Sequence, residues 1–208
     1  EQDWVLEPGD MLYLPPGVPH HGIAESECLT WSVGFRAPSD QELAIGFLDH
    51  LGETLALEGR YRDPGPRPVA GAGAIPDPLV AHVARVLSRI RWSAAEARAF
   101  AGRFLTEPKA HVWFDPPARP LPPARFAAAA SRRGARLDGK ARLAYSRGAF
   151  FLNGEAVEAT GACAPWLRRL ADERRLVSIA GAPPAVHALL HAWYRDGVVI
   201  LETGGKSR

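Results

Sequence analysis

The chain has 208 residues, 47% of them hydrophobic and 23% charged, with a formal net charge of +2. This balance excludes the disordered class, and no apolar run approaches the roughly 18 residues of a membrane-spanning helix. The two cysteines, Cys28 and Cys163, lie too far apart in sequence to read as a disulfide framework, so a reducing, cytoplasmic setting is expected. Residues 1–120 carry 11 basic against 16 acidic residues and residues 121–208 carry 14 against 7, which argues for two regions with different surfaces. The start, Glu1-Gln2-Asp3-Trp4, has neither an initiator methionine nor a signal sequence and suggests that polypeptide precedes it.

Residues 3–36 read as short strands at Trp4–Leu6, Met11–Leu14, His20–Ala24 and Leu29–Phe35, separated by turns rich in Gly and Pro. Within them, Gly9-Asp10-Met11-Leu12-Tyr13-Leu14-Pro15-Pro16-Gly17-Val18-Pro19-His20 places a histidine at a fixed distance beyond two tight turns, where a neutral ring nitrogen can bind a metal. In the last strand the two-residue period puts Thr30, Ser32 and Gly34 on one face and Trp31, Val33 and Phe35 on the other. Thr30 and Ser32 either line a cavity beside a bound carboxylate or form a solvated face. About 36 residues cannot close a double-stranded β-helix of eight strands, so Trp4, Leu12, Leu14 and Trp31 are expected to lack partners.

Ser39-Asp40-Gln41-Glu42 is a capping box opening a helix whose stripe is Leu43, Phe47, Leu48, Leu51 and Leu55 and which ends near Gly59. Tyr61–Pro78, with five prolines, reads as a linker. A second helix is expected over about Leu79–Arg91. A second capping box, Ser93-Ala94-Ala95-Glu96, starts a third that runs to about Leu105 with Phe100 and Phe104 one turn apart. Three such helices make a small bundle. Asp115-Pro116-Pro117 and Pro120-Leu121-Pro122-Pro123 mark the next boundary.

Beyond it the pattern predicts a helix at Ala124–Ser131, strands near Leu143–Ser146 and Ala149–Leu152, and an Asn153-Gly154 hairpin turn into Glu155–Glu158. Helices Pro165–Arg174 and Pro183–Arg195 and a strand Val198–Glu202 complete it. His187 and His191 share one helix face without a suitably placed Cys, Asp or Glu, which makes packing the better reading. The pairs Arg132-Arg133, Arg168-Arg169 and Arg174-Arg175 raise a nucleic-acid contact, but Glu158, Asp172 and Glu173 interrupt the charge and a solvated basic face is favoured.

The Gly9–His20 spacing is that of the second cupin motif. With Trp4-Val5-Leu6-Glu7-Pro8 before it and Trp31-Ser32-Val33-Gly34-Phe35-Arg36-Ala37-Pro38 after it, the stretch resembles the end of a JmjC-type cupin in the bacterial ribosomal oxygenases. The resemblance implies an α+β chain: the C-terminal strands of a cupin/JmjC double-stranded β-helix (1–38), a helical, dimerisation-type region (39–115) and a winged-helix-like domain (121–208). It implies Fe(II) and 2-oxoglutarate as cofactors, hydroxylation of an arginine in a large-subunit ribosomal protein, a homodimer, and His20 as the later iron ligand. The family's other two ligands come from a His-x-Asp or His-x-Glu pair, and none of the seven histidines here has an acidic residue two places later. Residues 1–208 on their own are therefore expected to be inactive. A non-catalytic or metal-only cupin, or a winged-helix nucleic-acid or assembly module, are the rival classes.

Overall fold

The computed structural model describes residues 2–34, 37–62, 65, 71, 73–159 and 161–202, which divide into two compact units, Glu1–Pro38 and Ser39–Arg208. In the first, the turns form where proline and glycine prescribe them. Pro8-Gly9 and Pro16-Gly17 sit at turn centres, each glycine with positive φ (102° and 77°), closed by Asp10 N–H to the Glu7 carbonyl and Val18 N–H to the Pro15 carbonyl.

The expected strands between them do not form ladders. No hydrogen-bonded strand occurs among described residues 2–34, and Phe35, the end of the last expected strand, lies outside the described residues. The cause is the absence of pairing: a strand holds its shape only when a neighbour takes its N–H and C=O groups, and every described residue here is exposed. Trp4 (67%) and Trp31 (84%) are uncovered on this account.

The second unit opens with α1 (Asp40–Thr54), α2 (Asp77–Leu87) and α3 (Ala94–Thr106). Ser39 and Ser93 each cap a helix by accepting from the amide three residues on, and Glu42 and Glu96 reach back to close both boxes. That backbone hydrogen bond stabilises the Glu96 carboxylate and lowers its pKa. The second helix starts two residues earlier than its apolar stripe indicates, because Pro78 sits in the first turn, where its missing N–H costs nothing. It also ends at Leu87 rather than Arg91.

The helices do not close into a three-helix bundle. Phe47 of α1 meets Phe100 of α3 edge-on at 5.3 Å, and Gly46 allows the approach, since a Cβ there would sit 3.1 Å from the Phe104 ring. By contrast α2 buries no residue. It lies against the segment before it, with Tyr61 edge-on to His82 at 5.3 Å, and leaves Val80, Val83 and Leu87 about half exposed.

The remaining elements are α4 (Pro123–Arg133), β1 (Ala135–Leu137), β2 (Leu143–Ser146), β3 (Ala149–Leu152), β4 (Glu155–Val157), α5 (Ala164–Glu173), β5 (Arg175–Leu176), α6 (Pro184–Arg195) and β6 (Val199–Leu201), with a short 3-10 turn before α5. They form two antiparallel three-stranded sheets, in the orders β5-β1-β6 and β2-β3-β4. Phe126, Leu167, Leu170, Leu176, Ile179, Val186 and Leu190 centre one core that joins helices and sheets. Strands β1 and β5 escape the sequence pattern, being three and two residues long and carrying Arg136 and Arg175.

Helix α3 packs on the β2-β3-β4 sheet. Gly102 faces the Phe151 ring so closely that a Cβ would lie 2.3 Å from it. Thr106, buried, accepts the Gly154 N–H at 3.0 Å, so the end of the helix also secures the hairpin turn. Both hairpins use turns with two successive positive φ values, Asn153-Gly154 (51° and 90°) and Arg147-Gly148 (46° and 88°).

Two substitutions separate these effects. Gly102→Ala gains helix propensity but must displace Phe151, and we expect a net loss of roughly 1–3 kcal/mol in chemical denaturation. Arg147→Asn keeps the left-handed conformation with a residue that tolerates it, and should raise stability by about 0.5–1 kcal/mol in the same measurement.

Candidate functional site

The metal-ligand candidate sits at the end of the second turn. Gly17 reverses the chain, Pro19 restricts it, and His20 follows with its ring exposed. Its Nδ1 lies 3.2 Å from the Val18 carbonyl. A carbonyl can only accept, so in the neutral imidazole Nδ1 carries the proton and Nε2 keeps its lone pair. This is how a metal-binding histidine is usually fixed: the second nitrogen donates to a backbone oxygen, which sets both tautomer and ring direction.

The first turn is braced by a side chain, as the Asp10 carboxylate accepts the Glu7 N–H at 2.9 Å. Thr30 and Ser32 are exposed, and no hydrogen bond among the described residues joins either to His20. No group of three His, Cys, Asp or Glu side chains able to hold a metal occurs among the described residues. One imidazole with a free Nε2 suits a divalent transition metal in type but not in number, so the described residues do not complete an iron site.

The other sites raised by the sequence have structural roles. His187 Nε2 is 3.2 Å from the Ile179 carbonyl, and His191 Nε2 is 2.9 Å from that of Leu121, so the two imidazoles tie α6 to two different loops. Arg174, at φ 59° after α5, donates to the carbonyls of Asp138 (2.7 Å) and Ala141 (3.1 Å) and thereby anchors the loop between β1 and β2. Arg168 lies over the Tyr145 ring at 5.9 Å, and Arg169 faces Glu173 at 3.9 Å. Tyr145 also donates to Asp172, and that hydrogen bond, with the carboxylate's charge behind it, raises the phenol pKa. Half of the six paired arginines are thus engaged within the domain. Cys28 is exposed, Cys163 is buried, and neither forms a disulfide. Among the described residues no helix is long and apolar enough to cross a membrane.

Sequence reasoning alone missed the Val18 carbonyl as the partner that orients His20. The signal was present in part, since Pro19 between the two residues favours the extended bend that brings them together.

Known proteins match two parts of the chain. Residues 89–199 match the family model for the ROXA-like winged helix, and residues 1–43 match a JmjC domain model. The ribosomal protein uL16 3-hydroxylase of Escherichia coli is 31% identical over 121 residues, which cover 58% of this chain and 32% of that protein. A probable ribosomal oxygenase of Haemophilus influenzae is 48% identical over 44 residues, 21% of this chain and 11% of that protein. The solved structure of the E. coli ribosomal oxygenase YcfD with cobalt and 2-oxoglutarate superposes with a TM-score of 0.61 at 22% identity, covering 82% of this chain and 48% of that one. That likeness shows the fold. The matched part of the chain thus spans about a third of the length of the E. coli hydroxylase and about half of the solved chains. With a ROXA-like winged helix over more than half of its residues and a JmjC segment before it, the chain belongs to the JmjC-type ribosomal oxygenase family.

Proposed function

We propose that this chain serves an Fe(II)- and 2-oxoglutarate-dependent protein hydroxylase that modifies an arginine of a large-subunit ribosomal protein in the cytoplasm. The observation that carries the reading is His20 in the second cupin motif, within the JmjC match, its Nδ1 held by the Val18 carbonyl and its Nε2 free. The relative named as a uL16 3-hydroxylase, and the YcfD structure with cobalt and 2-oxoglutarate, support the reaction class. On this reading His20 is one iron ligand, and Thr30 and Ser32 lie beside the carboxylate of 2-oxoglutarate. The other ligands come from polypeptide outside residues 1–208, because no His-x-Asp or His-x-Glu occurs within them. Bound iron with 2-oxoglutarate supplies the oxidising chemistry. The residues described here supply an oriented imidazole and a fixed turn. The division into a JmjC part (1–38), a helical part (39–115) and a winged-helix part (121–208) belongs to the same proposal.

Assembly as a homodimer through the helical part is also proposed. Its support is the stripe on α2, where Val83 and Leu87 stay about half exposed, and the exposure of Leu48 on α1 (65%). Leu51, on the same α1 stripe, is buried within the chain and belongs to the α1 packing instead.

Two measurements test these readings. The purified 208-residue chain should convert no 2-oxoglutarate to succinate above a His20→Ala control. In a polypeptide that also contains the upstream His-x-Asp or His-x-Glu motif, His20→Ala should abolish both turnover and the visible absorbance of bound Co(II), while full retention of either would rule His20 out as a ligand. In sedimentation, Leu87→Asp should shift dimer to monomer with unchanged circular dichroism, and a wild-type monomer at high micromolar concentration would exclude the dimer.

A further inference from the structure

The β2-β3-β4 sheet ends in an edge strand, β4, beside a groove lined by residues of the hairpin and α6. β4 is the outer strand of its sheet. In a two-residue hairpin the residues closing the turn, here Leu152 and Glu155, exchange both backbone hydrogen bonds, so the next residue, Ala156, directs its N–H and C=O away from β3. Ala156 is exposed.

A groove of about 320 Å3 runs along β4 and the C-terminal half of α6. Val157, Leu189 and Trp193 form its apolar wall, and Glu155, Glu158 and Asp196 stand around it, with no lysine or arginine in the lining. This reverses the charge of its surroundings, since residues 121–208 hold 14 basic and only 7 acidic residues. Glu155 also pairs with Arg103 at 3.5 Å, so the field of the groove comes chiefly from Glu158 and Asp196.

We propose that this groove docks an extended, basic segment of another polypeptide. The segment adds a strand to β4 through Ala156, sets alternate apolar side chains against Leu189 and Trp193, and brings its lysines or arginines to Glu158 and Asp196. Backbone pairing supplies the affinity and the alternating side chains supply the selection, as in other cases of strand addition to a sheet edge. The carboxylates repel phosphates, so the site selects a basic peptide over a nucleic acid. The inference does not rest on the oxygenase reading, because the groove lies wholly within the second unit.

The test titrates the 208-residue chain into a fluorescein-labelled heptapeptide of alternating lysine and valine, read by anisotropy. Saturable binding is expected, weakened about tenfold or more in Glu158→Lys/Asp196→Lys, with amide shifts at Ala156 and indole shifts at Trp193 in NMR spectra. Asp49→Lys/Glu53→Lys on α1 should leave the affinity unchanged. The wild type should bind a peptide of equal charge with proline at its centre more weakly, because that peptide cannot pair as a strand. If Asp196→Lys disturbs the end of α6, Glu158→Lys alone, beyond the strand, carries the test. Absence of saturable binding, equal binding of the proline peptide, equal weakening by the α1 reversals, or stronger binding of an oligouridine at these same residues would each overturn the proposal.

Discussion

The joint between α1 and the β2-β3-β4 sheet depends on α3 serving two neighbours at once. Toward α1 it presents Phe100 and Phe104, received by Phe47 and by the open surface at Gly46. Toward the sheet it presents Gly102, against which Phe151 lies flush, and Thr106, whose hydroxyl donates to the Gly102 carbonyl and accepts from Gly154. A helix can do this only if a small residue stands where the aromatic ring must enter, since interiors packed to crystalline density leave no room to move aside. The Glu155–Arg103 pair adds a third, exposed contact of little energetic weight.

This arrangement explains which parts of the fold could be read from the sequence. Both capping boxes and the Asn153-Gly154 turn were legible because their chemistry is local, confined to four residues that satisfy one another. The Arg147-Gly148 turn was legible in place, between the two expected strands, but not in conformation, because arginine gives no hint of a left-handed φ and the register of Ser146 opposite Ala149 imposes it. Strands β1 and β5 were invisible for a related reason: their pairing is determined by the core around Leu137 and Leu176, and two or three residues have no period. The alternation in residues 3–35 was real, yet it describes a strand's faces without supplying its neighbours.

The candidate site divides in the same way. His20 could be found because two turns written in Gly and Pro fix its place, whereas the carbonyl that orients it belongs to the backbone of an unremarkable valine. For the paired arginines and histidines the sequence favoured a solvated face and packing, without naming their partners. Several of their partners are distant in sequence: His191 reaches the Leu121 carbonyl and Arg174 the Asp138 carbonyl. The groove beside β4 was beyond reach altogether, as it is assembled from a hairpin and a helix separated by some thirty residues.

The hairpin turn has one more consequence, in the chemical ageing of the protein. Asn-Gly is the dipeptide most prone to lose its side-chain amide, by attack of the glycine nitrogen on the asparagine Cγ to give a succinimide. Here both reacting groups are held. The Gly154 N–H is engaged by Thr106 Oγ1 at 3.0 Å, and Asn153 Oδ1 accepts the Arg142 N–H at 2.8 Å while the Asn153 N–H bonds back to the Arg142 carbonyl at 3.0 Å. Cyclisation would require the turn to open and all three bonds to part. The same contacts that fasten the hairpin to α3 therefore act as a clock-stop on deamidation, and any loosening of that joint would be recorded as an isoaspartate at position 153.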